Sequence, residues 1–457
     1  MEIMTKVEEI IKAIDGVVWG PIMLVFLIGM GLYLTIRMGF FQFRRFGYTM
    51  KNTLFSMFDK KQHQKDASGV SPFQAMATAM AGTIGTGSIA GLATAIVAGG
   101  PGAIFWMWVS ALLGMVTKFS EIVLSIKFRE KNEKGEWVGG PMYYLQNGLK
   151  KKWLAVLFAI FAMCACLGTG NATQSNSIAM AIESNFHVPM WITGIVLTVI
   201  AAAVILGGMR RIASVNEKLV PVMAVFYVVC AVVCLALNIT KVPQAFKLIF
   251  QEAFNFKAAF GGVAGFGIMK AMQFGFSRGV FSNEAGLGSA PMAHAASSAT
   301  DPVKQALWGM FEVFFTTIII CTLSGLIIIT AGLYQTGLDG AALSSASFNE
   351  ILPGVGGIGV AIATVFFALS TILGWAYYGE VSIGYLTNKS KTAVMVYRII
   401  YVAFVFIGTV ASLDVIWGFS SIMNGLMAIP NLIGVVGLIT VVKEATKEHF
   451  NNQLPTK

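Results

Sequence analysis

Two stretches of this 457-residue chain carry polar, glycine-rich sequence inside otherwise apolar runs. The first is Ala81-Gly82-Thr83-Ile84-Gly85-Thr86-Gly87-Ser88-Ile89-Ala90-Gly91. The second is Gly275-Phe276-Ser277-Arg278-Gly279-Val280-Phe281-Ser282-Asn283-Glu284-Ala285-Gly286-Leu287-Gly288, which adds a cation and an anion. Each glycine costs about 1 kcal/mol of helix relative to alanine, so both stretches are expected to unwind. A half-helix that starts at such a break presents unpaired N–H groups and about half a positive charge, which suits a carboxylate. The half that ends there leaves carbonyls able to coordinate a hard cation such as sodium. An amino-acid zwitterion needs both kinds of partner. The competing reading is that the glycines only allow close helix packing, as Gly87-x-x-x-Gly91 could, and the presence of two matched motifs weighs against it.

Further along, Phe366-Phe367-Ala368-Leu369-Ser370-Thr371-Ile372-Leu373-Gly374-Trp375 sets two adjacent hydroxyls in an apolar helix. They either bond back to the carbonyl one turn earlier or join carbonyls of the first break to hold a sodium ion through oxygen alone. The run Thr169-Gly170-Asn171-Ala172-Thr173-Gln174-Ser175-Asn176 is polar enough to line a cavity or to be a helix's outer end. Arg278 and Glu284 are costly inside a span; they are read as a pair with a gating or architectural role, Glu284 also suiting a half-helix start. Glu121, Glu312, Glu380 and Asp414 are read as lying near span ends, where snorkelling or interfacial pairing explains them. Gly85-Thr86-Gly87-Ser88-Ile89-Ala90 formally fits a dinucleotide fingerprint, but it follows no strand, and Phe105-Trp106-Met107-Trp108 stand where an acidic residue is needed.

The elements that position these residues are spans. With 56% hydrophobic and only 12% charged residues, the chain falls far below the quarter charged expected of a soluble protein. Apolar runs of spanning length lie at roughly 16 to 36, 71 to 98, 103 to 126, 153 to 181, 190 to 207, 219 to 238, 260 to 291, 305 to 332, 354 to 385, 394 to 411 and 415 to 442. The expected fold is therefore an all-α polytopic membrane protein of about 11 transmembrane helices. Setting the first span aside, the broken segments open the first five spans (71–238) and the second five (260–442). An odd number per half requires the second to be inverted, giving a 5+5 inverted repeat with two discontinuous helices. One transporter domain covers 1–457, with 1–70 as the extra helix and a cytoplasmic loop.

On alternating connections, 23 basic residues fall on one side and five on the other. That asymmetry puts the amino terminus outside and the carboxyl terminus in the cytoplasm of a cell-membrane protein. The net charge of +10 is written into these loops without aromatic interleaving, so no nucleic-acid partner is expected. Residues 1–15 carry mixed charge and the run behind them lacks a small-residue cleavage site, so the chain is expected to begin with its own first span. The five cysteines lie in apolar segments and the four histidines are scattered without metal-ligand spacing, which argues against a disulfide scaffold and a metalloenzyme. Neither a nucleophile with its base nor a ring of pore-lining groups is visible, so an enzyme and an ion channel rank below a carrier.

The run Gly99-Gly100-Pro101-Gly102-Ala103-Ile104-Phe105-Trp106-Met107-Trp108-Val109-Ser110-Ala111-Leu112-Leu113-Gly114 resembles, position by position, the signature of the alanine or glycine:cation symporter family. The resemblance extends through both breaks and the Ser370–Trp375 region. It implies a sodium-coupled symporter of the amino-acid, polyamine and cation superfamily, importing alanine and glycine by alternating access. A proton-coupled amino-acid carrier of the same fold is the alternative. Carried over by motif, the resemblance implies a sodium site of the carbonyls of Ala81, Ile84 and Phe367 with the hydroxyls of Ser370 and Thr371. It implies a substrate carboxylate at Thr86 and Gly87, with Gly85 allowing close approach, and Gln174, Phe276 and Trp375 closing the pocket. The partners implied are the amino-acid substrate and the lipid bilayer, with the monomer as functional unit. Where that family often carries Asn, this chain has Ser88.

Overall fold

The computed structural model of the protein describes residues 2–64, 69–254, 264–410 and 414–452. Lys65, Lys257 and Lys457 from the charge count, and the span edges at 260–263 and 411, lie outside the described residues. Apolar runs form helices because a bilayer offers the backbone no other hydrogen-bond partner.

At the amino terminus, α1 (Glu2–Val18) leads into α2 (Pro21–Arg37), where proline sits in the first turn and costs no intrahelical bond. The first half follows: α3 (Pro72–Thr83), α4 (Ala90–Gly99), α5 (Ala103–Lys127), α6 (Lys152–Leu167), α7 (Thr173–Phe186), α8 (Met190–Ile205) and α9 (Met209–Leu237). The connecting α10 (Val242–Ala253) precedes α11 (Ala264–Asn283), α12 (Ala290–Ala295), α13 (Pro302–Val313) and α14 (Thr322–Ala331). Then come α15 (Gly340–Ile351), α16 (Gly356–Leu386), α17 (Lys391–Val410), α18 (Asp414–Gly437) and α19 (Ile439–Asn451). A two-residue strand pair, Glu130–Lys131 against Trp137–Val138, interrupts the helical pattern between α5 and α6. Among the described residues, eight helices are long and apolar enough to cross a membrane, nine with the bent α3/α4 pair. The two further stretches expected as spans are α8, which has 16 residues and is short for a ~30 Å core, and the polar, discontinuous α11/α12.

Each half opens with a break. Ser71 and Gln74 form a reciprocal capping box that starts α3. The chain leaves the helix at Ile84 (φ −83°, ψ 78°), is extended at Gly85, makes a tight turn at Thr86–Ser88 and re-enters at Ala90, bent by 57°. In the second half the helix persists to Asn283, beyond the expected start of unwinding at Gly275. Gly275 and Gly279 are helical and serve as close-packing positions against α5: a β-carbon would lie 2.5 Å from the Ala103 carbonyl at Gly275 and 2.9 Å from Ser110 Oγ at Gly279. The break is confined to 284–289, where Glu284, Gly286 and Gly288 take φ of 56°, 92° and 78°. Two of those positions suit only glycine; at Glu284 the left-handed backbone is strained by about 1 to 2 kcal/mol and must be held from outside.

Helix α5 packs between α11 and α13, α4 lies against α11, and α3 lies between α9 and α16. A second group stacks α6 and α7 on α16 and α8 on α17. Helix α9 packs along α16 as α18 packs along α6, the exchange that inverted halves produce.

Candidate functional site

A helix that ends inside the protein leaves its last four carbonyls without intrahelical donors. For α3, Met80 O accepts from Ile84 N and Thr83 O from Gly85 N. The other two are served by α16. Ala81 O accepts from Thr371 Oγ1 at 3.0 Å and Ser370 Oγ at 3.4 Å, and Gly82 O accepts from Trp375 Nε1 at 3.3 Å. The same two hydroxyls also reach back to Phe367 O, each at 2.9 Å. The hydroxyls therefore bond back along their own helix and also reach the carbonyls of the first break, because a hydroxyl oxygen can serve both contacts. Two hydroxyl protons are shared by two carbonyls, so four oxygens crowd within 2.9–3.4 Å, an all-oxygen cluster of the kind a hard cation takes. Close approach makes this possible: a β-carbon on Gly374 would lie 2.9 Å from Gly82 N. Ile84, the fifth residue expected there, is buried at the turn itself.

Between α6 and α7 the helix widens over Gly168–Ala172, and the Thr169 carbonyl in this wide turn accepts from Gln174 Nε2 at 3.0 Å. Gln174 Oε1 faces the first break and accepts from Thr86 Oγ1 at 3.1 Å and Thr86 N at 3.4 Å. The polar run from 169 onward is thus interior and not a helix's outer end. Trp375 packs its Cβ against Gly170, where any β-carbon would overlap it.

The structure brings Ala81, Gly85, Thr86, Gln174, Phe367, Ser370, Thr371 and Trp375 together. It does not place Phe276 with them. That ring lies 6.3 Å from Trp106 and lines a small cavity with Leu27, Gly31 and Leu432. The aromatic that meets Gly87 is Phe281, whose Cδ1 would lie 2.9 Å from a β-carbon there. Ser88 Oγ is 3.1 Å from Ser282 Oγ, which joins the two broken spans directly.

At the second break, Glu284 accepts from Trp375 Nε1 at 2.9 Å and Ser289 Oγ at 2.5 Å, and these bonds hold its left-handed backbone. The expected pairing with Arg278 is not formed: no ion pair joins the two among the described residues, and the Glu284 carboxylate is taken by Trp375 and Ser289. Asn283 O accepts from Lys118 Nζ at 3.0 Å and Gly286 O from Asn431 Nδ2 at 2.8 Å. Lys118 also donates to Thr83 Oγ1 at 3.2 Å, so one ammonium touches the ends of α3 and α11. Its counter-charge is Glu312 Oε2 at 2.9 Å, both side chains being fully buried. Glu312 Oε1 accepts from His294 Nε2 at 2.8 Å, and Gln305 Nε2 donates to His294 Nδ1 at 2.9 Å, which fixes the ring's proton on Nε2.

This network was not legible in advance. Lys118 and Glu312 stand out as costly charges in apolar runs, but nothing local pairs them, and Glu312 does not lie at a span end. Glu121, also fully buried, accepts from Asn431 Nδ2 at 2.5 Å, and Tyr144 donates to Asn431 Oδ1. Glu380 forms a two-point bridge to Arg398 across α16 and α17. The Asp414 side chain lies outside the described residues.

The model of the sodium:alanine symporter family matches residues 4–457. "Sodium/alanine symporter AgcS" of Methanococcus maripaludis is 48% identical over 447 residues, covering 96% of each chain. "Probable sodium/glutamine symporter GlnT" of Bacillus subtilis is 37% identical over 443 residues, covering 97% of this chain and 90% of the relative. Among solved structures, MhsT in complex with L-phenylalanine superposes with a TM-score of 0.58 at 14% identity, covering 79% of this chain and 88% of that one, a likeness of fold. A broken helix that meets α16 at a buried all-oxygen cluster, with a second broken helix beside it, thus occurs in a chain matched over residues 4–457, and this protein belongs to the sodium:alanine symporter family of membrane transporters, not to any enzyme class.

Proposed function

We propose that this protein imports alanine and glycine with sodium by alternating access, acting as a monomer through one transporter domain spanning 1–457, with 71–238 and 260–442 as its two repeats. The observation that carries the reading is the oxygen cluster of Ala81, Phe367, Ser370 and Thr371 next to the Gly85–Gly87 turn. A sodium ion there, with Ile84 O added, takes over the carbonyls that the two hydroxyl protons now share. The substrate carboxylate lies against Thr86 and Gly87, close to the cation. Gln174 and Trp375 bound the remaining space, and Phe281 takes the place that motif transfer gives to Phe276. Each ligand thereby stabilises the same unwound geometry, which couples their binding. The amino terminus is outside and the carboxyl terminus cytoplasmic.

The buried carboxylates Glu284 and Glu312 beside the breaks favour one rival, a proton-coupled carrier. The test is uptake of glycine, L-alanine and D-alanine into proteoliposomes with an inward sodium gradient, and in sodium-free buffer with a proton gradient. Uptake driven only by sodium is the expected result; equal uptake under the proton gradient overturns the sodium assignment.

A further inference from the structure

Just past the end of α2, where Phe450 of α19 meets Phe41 and Arg45, five cations line a cavity of about 350 Å³: Arg37, Arg44, Arg45, Lys443 and Lys447. No ion pair involves any of the five among the described residues. Nor does a carboxylate line the cavity among the described residues. On α19 the reason is periodicity. Lys443, Lys447 and Phe450 share one face at i, i+4 and i+7, whereas Glu444 and Glu448 are rotated off it, and Glu448 lines a neighbouring cavity with Arg129 and Asp301 instead.

Two of the cations are held in position. Arg45 lays its guanidinium 4.2 Å above the Phe450 ring, and Arg44 Nη1 donates to Gly39 O at 3.3 Å. The left-handed pair Gly39 and Phe40, with φ of 63° and 57°, turns the chain back so that Arg44 and Arg45 lie beside Arg37. Five like charges lining one cavity repel one another, and an anion among them relieves that repulsion.

The surroundings indicate which anion. Ile22, Val25 and Ile36 of α2 are 81%, 69% and 57% exposed, an apolar face that belongs in lipid. Phe40 and Phe43, half exposed just past Arg37, mark headgroup depth. The cavity's apolar walls, Met38, Phe41 and Phe450, continue that boundary inward.

We propose that this cavity binds the phosphate of an anionic lipid headgroup, its guanidinium and ammonium groups on the phosphate oxygens and its apolar walls against the glycerol end. The site is independent of the transport reading and makes the protein's retention of anionic lipid specific to one corner of the bundle.

The test is native mass spectrometry of the full-length protein exchanged into mixed phosphatidylglycerol and phosphatidylcholine micelles. Wild type is expected to retain one phosphatidylglycerol preferentially. Arg44→Gln with Lys447→Gln should weaken that retention about thirtyfold, and Lys443→Gln with Lys447→Gln similarly. The exposed pair Lys151→Gln with Lys152→Gln removes equal charge elsewhere and should leave it unchanged. Equal loss in the control means diffuse surface charge and overturns the site. Complete displacement of the lipid by millimolar inorganic phosphate overturns the lipid assignment in favour of a free-phosphate site.

Discussion

Replacing Lys118 by methionine probes whether the two broken spans are fastened by a buried charge. Its ammonium lies 2.9 Å from Glu312, 3.2 Å from Thr83 Oγ1 and 3.0 Å from Asn283 O. Removing one partner of a buried ion pair costs about 3 to 5 kcal/mol, because the other charge is left unpaired. Glu312 keeps its bond from His294, so the lower end applies: about 3 kcal/mol, or roughly a hundredfold in the folding equilibrium. In Lys118→Met with Glu312→Gln the stranded charge is gone and the amide can still accept from His294, so about 2 kcal/mol should return. Transport should not return with it, since Thr83 and Asn283 O still lack their donor where the breaks meet. Thermal unfolding of the purified protein and alanine uptake in proteoliposomes, measured on wild type, both single variants and the double, separate the two effects. A double variant no more stable than Lys118→Met refutes the ion-pair account. Full uptake in the double variant refutes the fastening role.

Three further outcomes are expected. Thr371→Ala should raise the sodium concentration for half-maximal uptake by about five- to tenfold through loss of one oxygen ligand, with Thr371→Ser near wild type; uptake with an unshifted sodium dependence removes Thr371 from the cation's shell. Wild type should admit glycine and alanine and exclude leucine, because overpacking a filled site costs roughly 1 to 3 kcal/mol, and Trp375→Leu should relax that limit; a competition series of glycine, alanine, valine and leucine reads this, and an unchanged order excludes Trp375 from the pocket. A cysteine placed at Gln62 in a background lacking the five native cysteines should be labelled only from the cytoplasmic side, and labelling from outside reverses the orientation.

The sequence alone determined the features that are local. Long apolar runs specify spanning helices, and the glycine-rich stretches 81–91 and 275–288 each announce a break, because glycine acts on its own stretch of backbone, although the second break begins only at Glu284. The adjacent hydroxyls at 370 and 371 were legible for the same reason. What the tertiary structure decided is how each helix is turned toward its neighbours. Phe276 and Phe281 are five residues apart on α11, about 140° around the helix, so rotation of that helix against α5 chooses which ring meets Gly87. Close packing against α5 likewise explains why Gly275 and Gly279 are glycines inside a helix and not part of the break. Trp375 with Glu284, and Lys118 with Glu312, pair across different helices, which no spacing within one segment records. A charge in an apolar run announces that a partner is needed, because leaving it unpaired is prohibitive; only packing in three dimensions supplies which partner it finds.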